Sequence, residues 1–420
     1  MSHSFSERRT VSKMSKRLIC IWLAGVALFM SGCGLGPSMM RANHLTYNDA
    51  VESTERQELL LNIVRLRYNE GPEFLTTSSI STQFTIDLAA TAGALVGHDQ
   101  EERTNLLNIG GAVGYSEKPT ITFTPHNEKE FTQQLISPID LETIFLLINY
   151  GWGIDRVLRL TSEGINGLRN GSTREEPTGN YDLQLREFAQ IAKDLRSLQQ
   201  RGLIEISFAE KEANLSGPIS ADKVNLSDIL NANKDDYKLK YNEITKSYKL
   251  KKTERNLILR FSKTSFEYPE SEEIVNRLRL APNVRAFRMV NAPGSQIKAA
   301  EIVQDSADLI LSTRSVLGTM AYLSQGVSVP KEHLDIGVVT SNPISESSRK
   351  VISDLFQVKV QKEKPDDASL SVPYRGYWFY IEENDISSKR TLGVLNSLVR
   401  LKIRAAGAQN IPVLTLPVGQ

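Results

Sequence analysis

Residues able to do chemistry are few, and their spacing argues against most catalysis. The five histidines, His3, His44, His98, His126 and His333, stand far apart, and none has a second histidine or a paired carboxylate at a ligand spacing such as HExxH. The cysteines, Cys20 and Cys33, both fall in the first 33 residues, so neither a disulfide framework nor a cysteine metal site is expected in the remainder. Gly110, Gly111 and Gly114 crowd one stretch, but Ile109 holds the first place of a GxGxxG pattern and no strand-to-helix turn follows. No GxSxG elbow or Walker loop is present. Glu382, Glu383 and Asp385 form an acidic loop with two readings, a calcium-attracting site or a solvated turn. Tyr374, Tyr377, Trp378 and Tyr380 suit either glycan stacking or an alternating aromatic core. Arg65 and Arg67 read as a solvated or salt-bridged helix face. No catalytic residue, metal or cofactor is expected, and the chain is read as a non-enzyme.

One reactive group remains, the thiol of Cys33. It ends a leader, residues 14–33 (MSKRLICIWLAGVALFMSGC), with a basic start at Lys16 and Arg17 and an apolar run from Leu18 to Met30. That run is short for a transmembrane helix and suits a secretory signal. Met30-Ser31-Gly32-Cys33 resembles the lipobox of bacterial lipoproteins. The resemblance implies a diacylglycerol on the Cys33 thiol, cleavage before Cys33, and an acyl chain on the new amino terminus. Gly34 rather than Asp after the cysteine implies the outer membrane, with the body in the periplasm. Met1 and Met14 are both eligible starts.

The element that most needs explaining is an alternating stretch from Ser79 to Thr124. Phe84, Ile86, Leu88, Ala90, Ala92, Ala94 and Val96 share one face of its first arm, because successive strand side chains point to opposite sides. After the polar residues 97–104, Leu107, Ile109, Val113 and Tyr115 continue that face, while Asp87, Thr91 and Asn108 fall on the other. Pairing Ile86 with Tyr115, Leu88 with Val113 and Ala92 with Ile109 unites the apolar sets, and a slip of one residue destroys the match. Three readings fit: a hairpin spanning lipid, a soluble hairpin with one face on a core, and an Ala-rich helix over Asp87 to Val96.

The elements around it are ordinary. A helix is expected from Thr46 or Asn48 to about Asn69, after a short tether at 34–43, with further helices over 127–136, 140–150, 181–201, 269–280, 314–323 and from Ser387 or Ser388 to about Arg404. Strands are expected at 157–160, 203–208, 257–261, 284–291, 308–311, 374–382 and 411–416. Residues 164–180, 211–236 and 342–364 read as loops or surface insertions, the last with an apolar patch at 351–360. Residues 237–250 read as a short lysine-rich hairpin, whose lysines either meet anionic headgroups or protect a sheet edge. Cutting at composition shifts gives a signal peptide (1–32), an anchor, tether and helix (33–70), the hairpin (71–125) and two α+β domains (126–265 and 266–420).

The fold class is therefore α+β, helices on small mixed or antiparallel sheets plus a long amphipathic β-hairpin. Net charge is +1, and five basic residues against Glu7 in residues 1–32 leave the remainder at −3, so no whole-chain field for nucleic acid exists. Membrane lipid, further copies of the chain and other envelope proteins are the expected partners. The expected role is an outer-membrane-anchored lipoprotein whose hairpins oligomerise into an envelope pore or export component, similar in architecture alone to the lipoprotein pore that exports curli subunits. The second expectation is a periplasm-facing binding or scaffold lipoprotein.

Overall fold

A computed structural model describes residues 35–95, 106–125, 129–171, 181–234, 237–282, 284–292, 306–340 and 345–406. The chain divides after Arg56 into two compact units. The described part of the first is helical, with Thr54 Oγ1 donating to the Ala50 carbonyl and an Arg56–Glu52 ion pair at 2.7 Å. Helix α1 is longer than the sequence suggests, Leu35–Arg67, so the tether expected at 34–43 is helical from Leu35. Pro37 is compatible because the first helical turn needs no amide donors.

In the second unit, strands β1 (Leu75–Leu95) and β2 (Leu106–Pro125) follow, then helices α2 (Lys129–Ile136), α3 (Leu141–Asn149) and α4 (Ile154–Thr161). Asp140 caps α3 by accepting from the Thr143 amide at 2.6 Å. The strand expected at 157–160 is instead α4. Ile154 and every residue from Val157 to Thr161 are buried, so this short helix is enclosed on all sides and shows no alternation to mark it as a strand. The loop expected at 164–180 opens with a hairpin, β3 (Ser162–Ile165) and β4 (Leu168–Arg169), turned by Asn166 at φ 45° and Gly167 at φ 80°.

Helix α5 (Tyr181–Gln200) buries Leu185, Phe188, Ile191, Ala192, Leu195 and Leu198. Gly202 ends it at φ 69°, where the Leu203 amide returns to the Leu198 carbonyl. The chain continues through β5 (Ile204–Asn214), β6 (Ile219–Ser220), α6 (Leu226–Lys234), β7 (Tyr237–Asn242) and β8 (Ser247–Phe261). The insertion expected at 211–236 therefore holds strand and helix. Then come α7 (Pro269–Arg277), β9 (Ala286–Asn291), β10 (Asp308–Thr313), α8 (Val316–Ser324) and α9 (Lys331–Asp335). Ser315 caps α8, its hydroxyl accepting from the Gly318 amide, so the helix expected from 314 begins at Val316.

Residues 345–364 are also more regular than their composition suggests: Ser345 caps α10 (Glu346–Ser353), and β11 covers Lys359–Gln361. The aromatic strand expected at 374–382 is split by Arg375 (φ 47°) and Gly376 (φ 80°) into β12 (Ala368–Tyr374) and β13 (Tyr377–Glu382). Helix α11 (Ile386–Ala406) ends the described chain. The strand expected at 411–416 lies outside the described residues.

The fold is α+β, and the described residues form three sheets. The largest runs β4-β3-β10-β9-β8-β5, with β6 and β7 also on β8; only β9 and β10 pair in parallel. Ile258–Arg260 of β8 pair with Ala286–Arg288 of β9, so the boundary expected at 265/266 falls within one sheet. One core covers both sides of it, from Leu60 and Phe188 to Phe287, Phe356 and Leu398. Among the described residues no helix is long and apolar enough to cross a membrane.

One buried carboxylate makes stability depend on pH. Asp194 of α5 is 8% exposed. Burial lifts its carboxyl above the ordinary value of 3.8, Gln190 Nε2 donating at 2.8 Å works against this, and Glu273 and Glu270 raise it further. A raised folded value favours the protonated form, so its stabilising contribution is complete below 3.8 and is lost as pH climbs through the folded value. Asp194→Asn is expected to raise the thermal unfolding midpoint at neutral pH. A melting series should show that gain vanishing in acid.

Candidate functional site: a two-stranded ribbon and its root

Strands β1 and β2, of 21 and 20 residues, are several times the ordinary strand length of about 5–6. Among the described residues they form a two-stranded sheet by themselves. The pairing is antiparallel, with Ile86 opposite Tyr115, Leu88 opposite Val113, Ala92 opposite Ile109 and Ala94 opposite Leu107. Phe84 lies opposite Glu117, and Ala90 opposite Gly111. The described backbone from Asp87 to Leu95 is strand, so the helical reading of that stretch does not apply. Val96, the connection at 97–105 and Cys33 lie outside the described residues.

Each polar position singled out in the sequence has a glycine across the ladder: Asp87 faces Gly114, Thr91 faces Gly110, and Asn108 faces Gly93. Ala89 faces Ala112 on that same register parity. Gly110 and Gly114 thus thin the second arm opposite Thr91 and Asp87, and Gly93 thins the first opposite Asn108, a use within the ladder rather than a phosphate cradle. Nearer the body, the ladder from Thr76 to Thr85 is rich in serine and threonine, and one irregularity at Thr77/Ser79 shifts the register there.

The body fixes where this ribbon begins. Helix α1 closes with Asn69 at φ 59°, where the Glu70 amide donates back to the Arg65 carbonyl at 2.9 Å. Asn62, fully buried, then grips the backbone of Glu73 from both sides: its Nδ2 donates to the Glu73 carbonyl at 2.6 Å, and its Oδ1 accepts from the Glu73 amide at 3.0 Å. Arg65 pairs with Glu73 at 3.0 Å, and Arg67 donates to the Thr340 carbonyl at 2.9 Å. Arg65 is thus salt-bridged and Arg67 is held by a backbone carbonyl, so both serve structural roles.

The turn of β12–β13 supplies a second hold. Arg375 reaches Glu70 at 2.6 Å and lies over the Tyr68 ring at 5.6 Å. Tyr68 is buried edge-on against Tyr374, His333 and Phe379, and its hydroxyl is 2.7 Å from His333 Nδ1. Burial, with Tyr374 beside it, pushes the Tyr68 phenol up to about 12, so it stays neutral. Hydrogen bonds from Tyr374 and Arg375 hold the Glu70 carboxyl below its usual range. Tyr377 donates to Glu332 at 2.6 Å.

The Tyr68–His333 and Glu70–Arg375 contacts join residues 265 and 305 positions apart, and sequence reasoning missed them; the only local signal was the Arg375-Gly376 pair, a turn dipeptide inside an aromatic run. Asn62→Ala is expected to cost about 1–3 kcal/mol, because both Glu73 backbone groups lose their partner. Hydrogen exchange at the Glu73 and Leu75 amides should accelerate in that variant well before global unfolding does.

The other candidates resolve into packing. Glu382 pairs with Lys359 at 2.6 Å, Glu383 with Lys389 at 2.7 Å, and Asp385 accepts from the Ser388 amide at 2.9 Å to cap α11. The acidic loop is thus engaged by cations and a helix end. Phe379 and Ile381 face the core, Tyr374 and Tyr377 pack around the root, and Trp378 and Tyr380 are half-buried on the alternate face. Among the described residues, no group of three or more histidine, cysteine or acidic side chains is placed to hold a metal. What the arrangement offers chemically is an extended pair of strands that, among the described residues, pair with no further strand on either outer edge. The chain matches no protein-family model, no curated protein and no solved structure.

Proposed function

We propose that the protein is an outer-membrane lipoprotein, anchored through acylated Cys33, whose ribbons assemble side by side from several copies into one composite barrel, forming an envelope pore or export component. The observation that carries this reading is the isolated ribbon. A free two-stranded sheet is at best marginally stable in water, and in lipid each unpaired edge group costs several kcal/mol. Edge-to-edge pairing of copies closes both edges and leaves none.

The two halves of the ribbon suit different surroundings. From Ile86/Tyr115 to Leu95/Leu106 the ladder is ten pairs long, about 33 Å of strand. At the tilt of roughly 40° usual in barrels this covers about 25 Å, the height of an outer-membrane apolar band. Phe84, Ile86, Leu88, Ala90, Ala92, Ala94, Leu107, Ile109, Val113 and Tyr115 then face lipid, and Asp87, Thr91 and Asn108 face the lumen beside small residues that leave room for solute. The serine- and threonine-rich half extends the wall into water between membrane and body. The doubly gripped root supports the same reading, since a ring closes only if each copy presents its strands at one angle.

The deciding experiment is the native mass of the full-length, lipidated protein extracted from outer membranes in mild detergent. A closed assembly of many subunits, lost on deleting residues 79–124, is the expected result. A monomer or dimer indifferent to that deletion overturns the pore and leaves an anchored periplasmic scaffold.

A further inference from the structure

Charge is scarce along the ribbon. Strands β1 and β2 hold three charged residues, Asp87, Glu117 and Lys118. Glu117 lies opposite Phe84, on the parity of the apolar set but on the body side of the band that begins at Ile86/Tyr115. Lys118 lies opposite Gln83, and Asp87 lies opposite Gly114, both on the other parity. From the Gln83 row to the Asp87 row is about 13 Å of strand, or about 10 Å along the axis of a barrel tilted by roughly 40°.

The rest of that parity, in the half nearer the body, consists of neutral residues with hydrogen-bonding side chains. Ser79 is opposite Thr122, Ser81 opposite Thr120, and Thr85 opposite Ser116, with Gln83 among them. A hydroxyl rotates to serve as donor or acceptor, so a wall of them suits a polyhydroxyl solute in many positions without fixing it in one. From Ser79/Thr122 to Asp87/Gly114 no aromatic or aliphatic residue falls on this parity, so an apolar solute finds nothing there on which to bury its surface.

We infer that the pore conducts uncharged carbohydrate, an oligosaccharide or a neutral glycan strand, and turns back charge of either sign. This substrate class rests on the ribbons closing into the barrel proposed above, since only a ring gives this parity a lumen. In a ring, Lys118 and Asp87 each recur once per copy at one height, which makes a basic ring and an acidic ring in series. Their spacing is close to the Debye length of about 8 Å at physiological ionic strength, so an ion meets them in turn rather than as a cancelling pair. The basic ring repels cations and the acidic ring repels anions. A neutral sugar meets neither barrier and exchanges hydrogen bonds with water for hydrogen bonds with the wall. An unfolded polypeptide fits less well, because about a quarter of ordinary residues are charged and both signs must cross both rings.

The test measures uptake of labelled maltotriose, its carboxylate derivative and its trimethylammonium derivative into phosphatidylcholine vesicles carrying the full-length, lipidated protein. Maltotriose should enter at least about ten-fold faster than either charged form. Asp87→Asn should speed the carboxylate form and leave the trimethylammonium form slow, and Lys118→Gln should do the reverse. Equal entry of all three overturns the inference. A single variant that admits both charged forms alike overturns it too, and would mean that Lys118 and Asp87 pair between neighbouring copies. So does an unfolded peptide of mixed charge entering as fast as maltotriose, which makes polypeptide the cargo. Native mass, read on the same preparation, separates these failures from that of the pore. Without a closed assembly both readings fall, whereas a closed assembly that admits the charged sugars equally, or none of the three, removes the substrate class and leaves the ring standing.

Discussion

Replacing Leu88 and Val113 together by arginine should abolish assembly in the outer membrane and leave the unfolding of the body where it was. The two residues face each other across the ladder, so both changes fall on one face of the ribbon at one depth. An arginine on a lipid-facing strand position costs about 2–4 kcal/mol at the bilayer midplane and less toward the interface. Leu88 is the third pair from the polar half, so about 1–3 kcal/mol for each arginine is the reasonable charge against insertion. Every copy in a ring bears it, and a closed assembly fails as a whole. The body should not respond, because β1 and β2 share no sheet strand with it among the described residues. Native mass and thermal unfolding, measured on the same preparation, separate the outcomes. Loss of the large species with an unchanged melting midpoint is expected. A lowered midpoint with unchanged mass would mean that the ribbon packs on its own body, and the pore reading would fail.

The opposite face supplies the control. Asp87→Arg and Asn108→Arg stand on the other parity, opposite Gly114 and Gly93. In a water-filled lumen these charges are tolerated, so assembly should persist while ion selectivity in planar bilayers moves toward anions. A soluble ribbon packed by its apolar face would also tolerate these two changes, but it would carry no ion current whose selectivity could shift.

The register of the ribbon was legible in the sequence for a physical reason. Strand side chains alternate with a period of two, and two long arms with out-of-phase apolar sets have one pairing that unites them. Helices α3, α5 and α7 were legible too, from Asp140, from the buried stripe of Leu185 to Leu198 closed by Gly202, and from Pro269 followed by Glu270 and Glu272. What failed was local ambiguity. Val157, Leu158 and Leu160 suit a strand or a helix, and in a segment buried from Val157 to Thr161 no periodicity decides between them. Asn166-Gly167 and Arg375-Gly376 turn hairpins inside stretches read as a loop and as a single strand. The contacts of the root were not legible beyond the Arg375-Gly376 turn dipeptide. Asn62 with Glu73, and Glu70 with Arg375, are contacts between residues that look like any surface polar groups until the chain brings them together. The lipobox is legible only as a resemblance, and Cys33 lies outside the described residues.

The largest single loss of stability is expected at Arg314, a residue the sequence offers merely as the start of a helix. It is 1% exposed and stacks over the Tyr322 ring at 4.1 Å. Its guanidinium donates to the carbonyls of Arg159 at 3.0 Å, Leu160 at 3.3 Å and Asn170. The first two are at the C-terminal end of α4, where carbonyls lack helical partners and the helix dipole is negative. Its backbone is engaged as well: the Arg314 amide donates to Thr161, and the Arg314 carbonyl accepts from Ile139. One side chain thus ties β10, α4 and the β3–β4 hairpin into the large sheet. Arg314→Met keeps much of the apolar stem but strands several buried acceptors, at about 3–5 kcal/mol, a large part of the roughly 5–15 kcal/mol that holds a typical domain. Arg314→Lys should recover little, since a compact ammonium cannot fork to three separate carbonyls. Arg288, which pairs with Asp308 at 2.7 Å but is half-exposed, sets the scale: Arg288→Met should cost less than about 1 kcal/mol. Urea unfolding of the three variants should rank them in that order. An Arg314→Met midpoint close to that of Arg288→Met would mean that water replaces the guanidinium at the end of α4, and that the sheet is held by its apolar core instead.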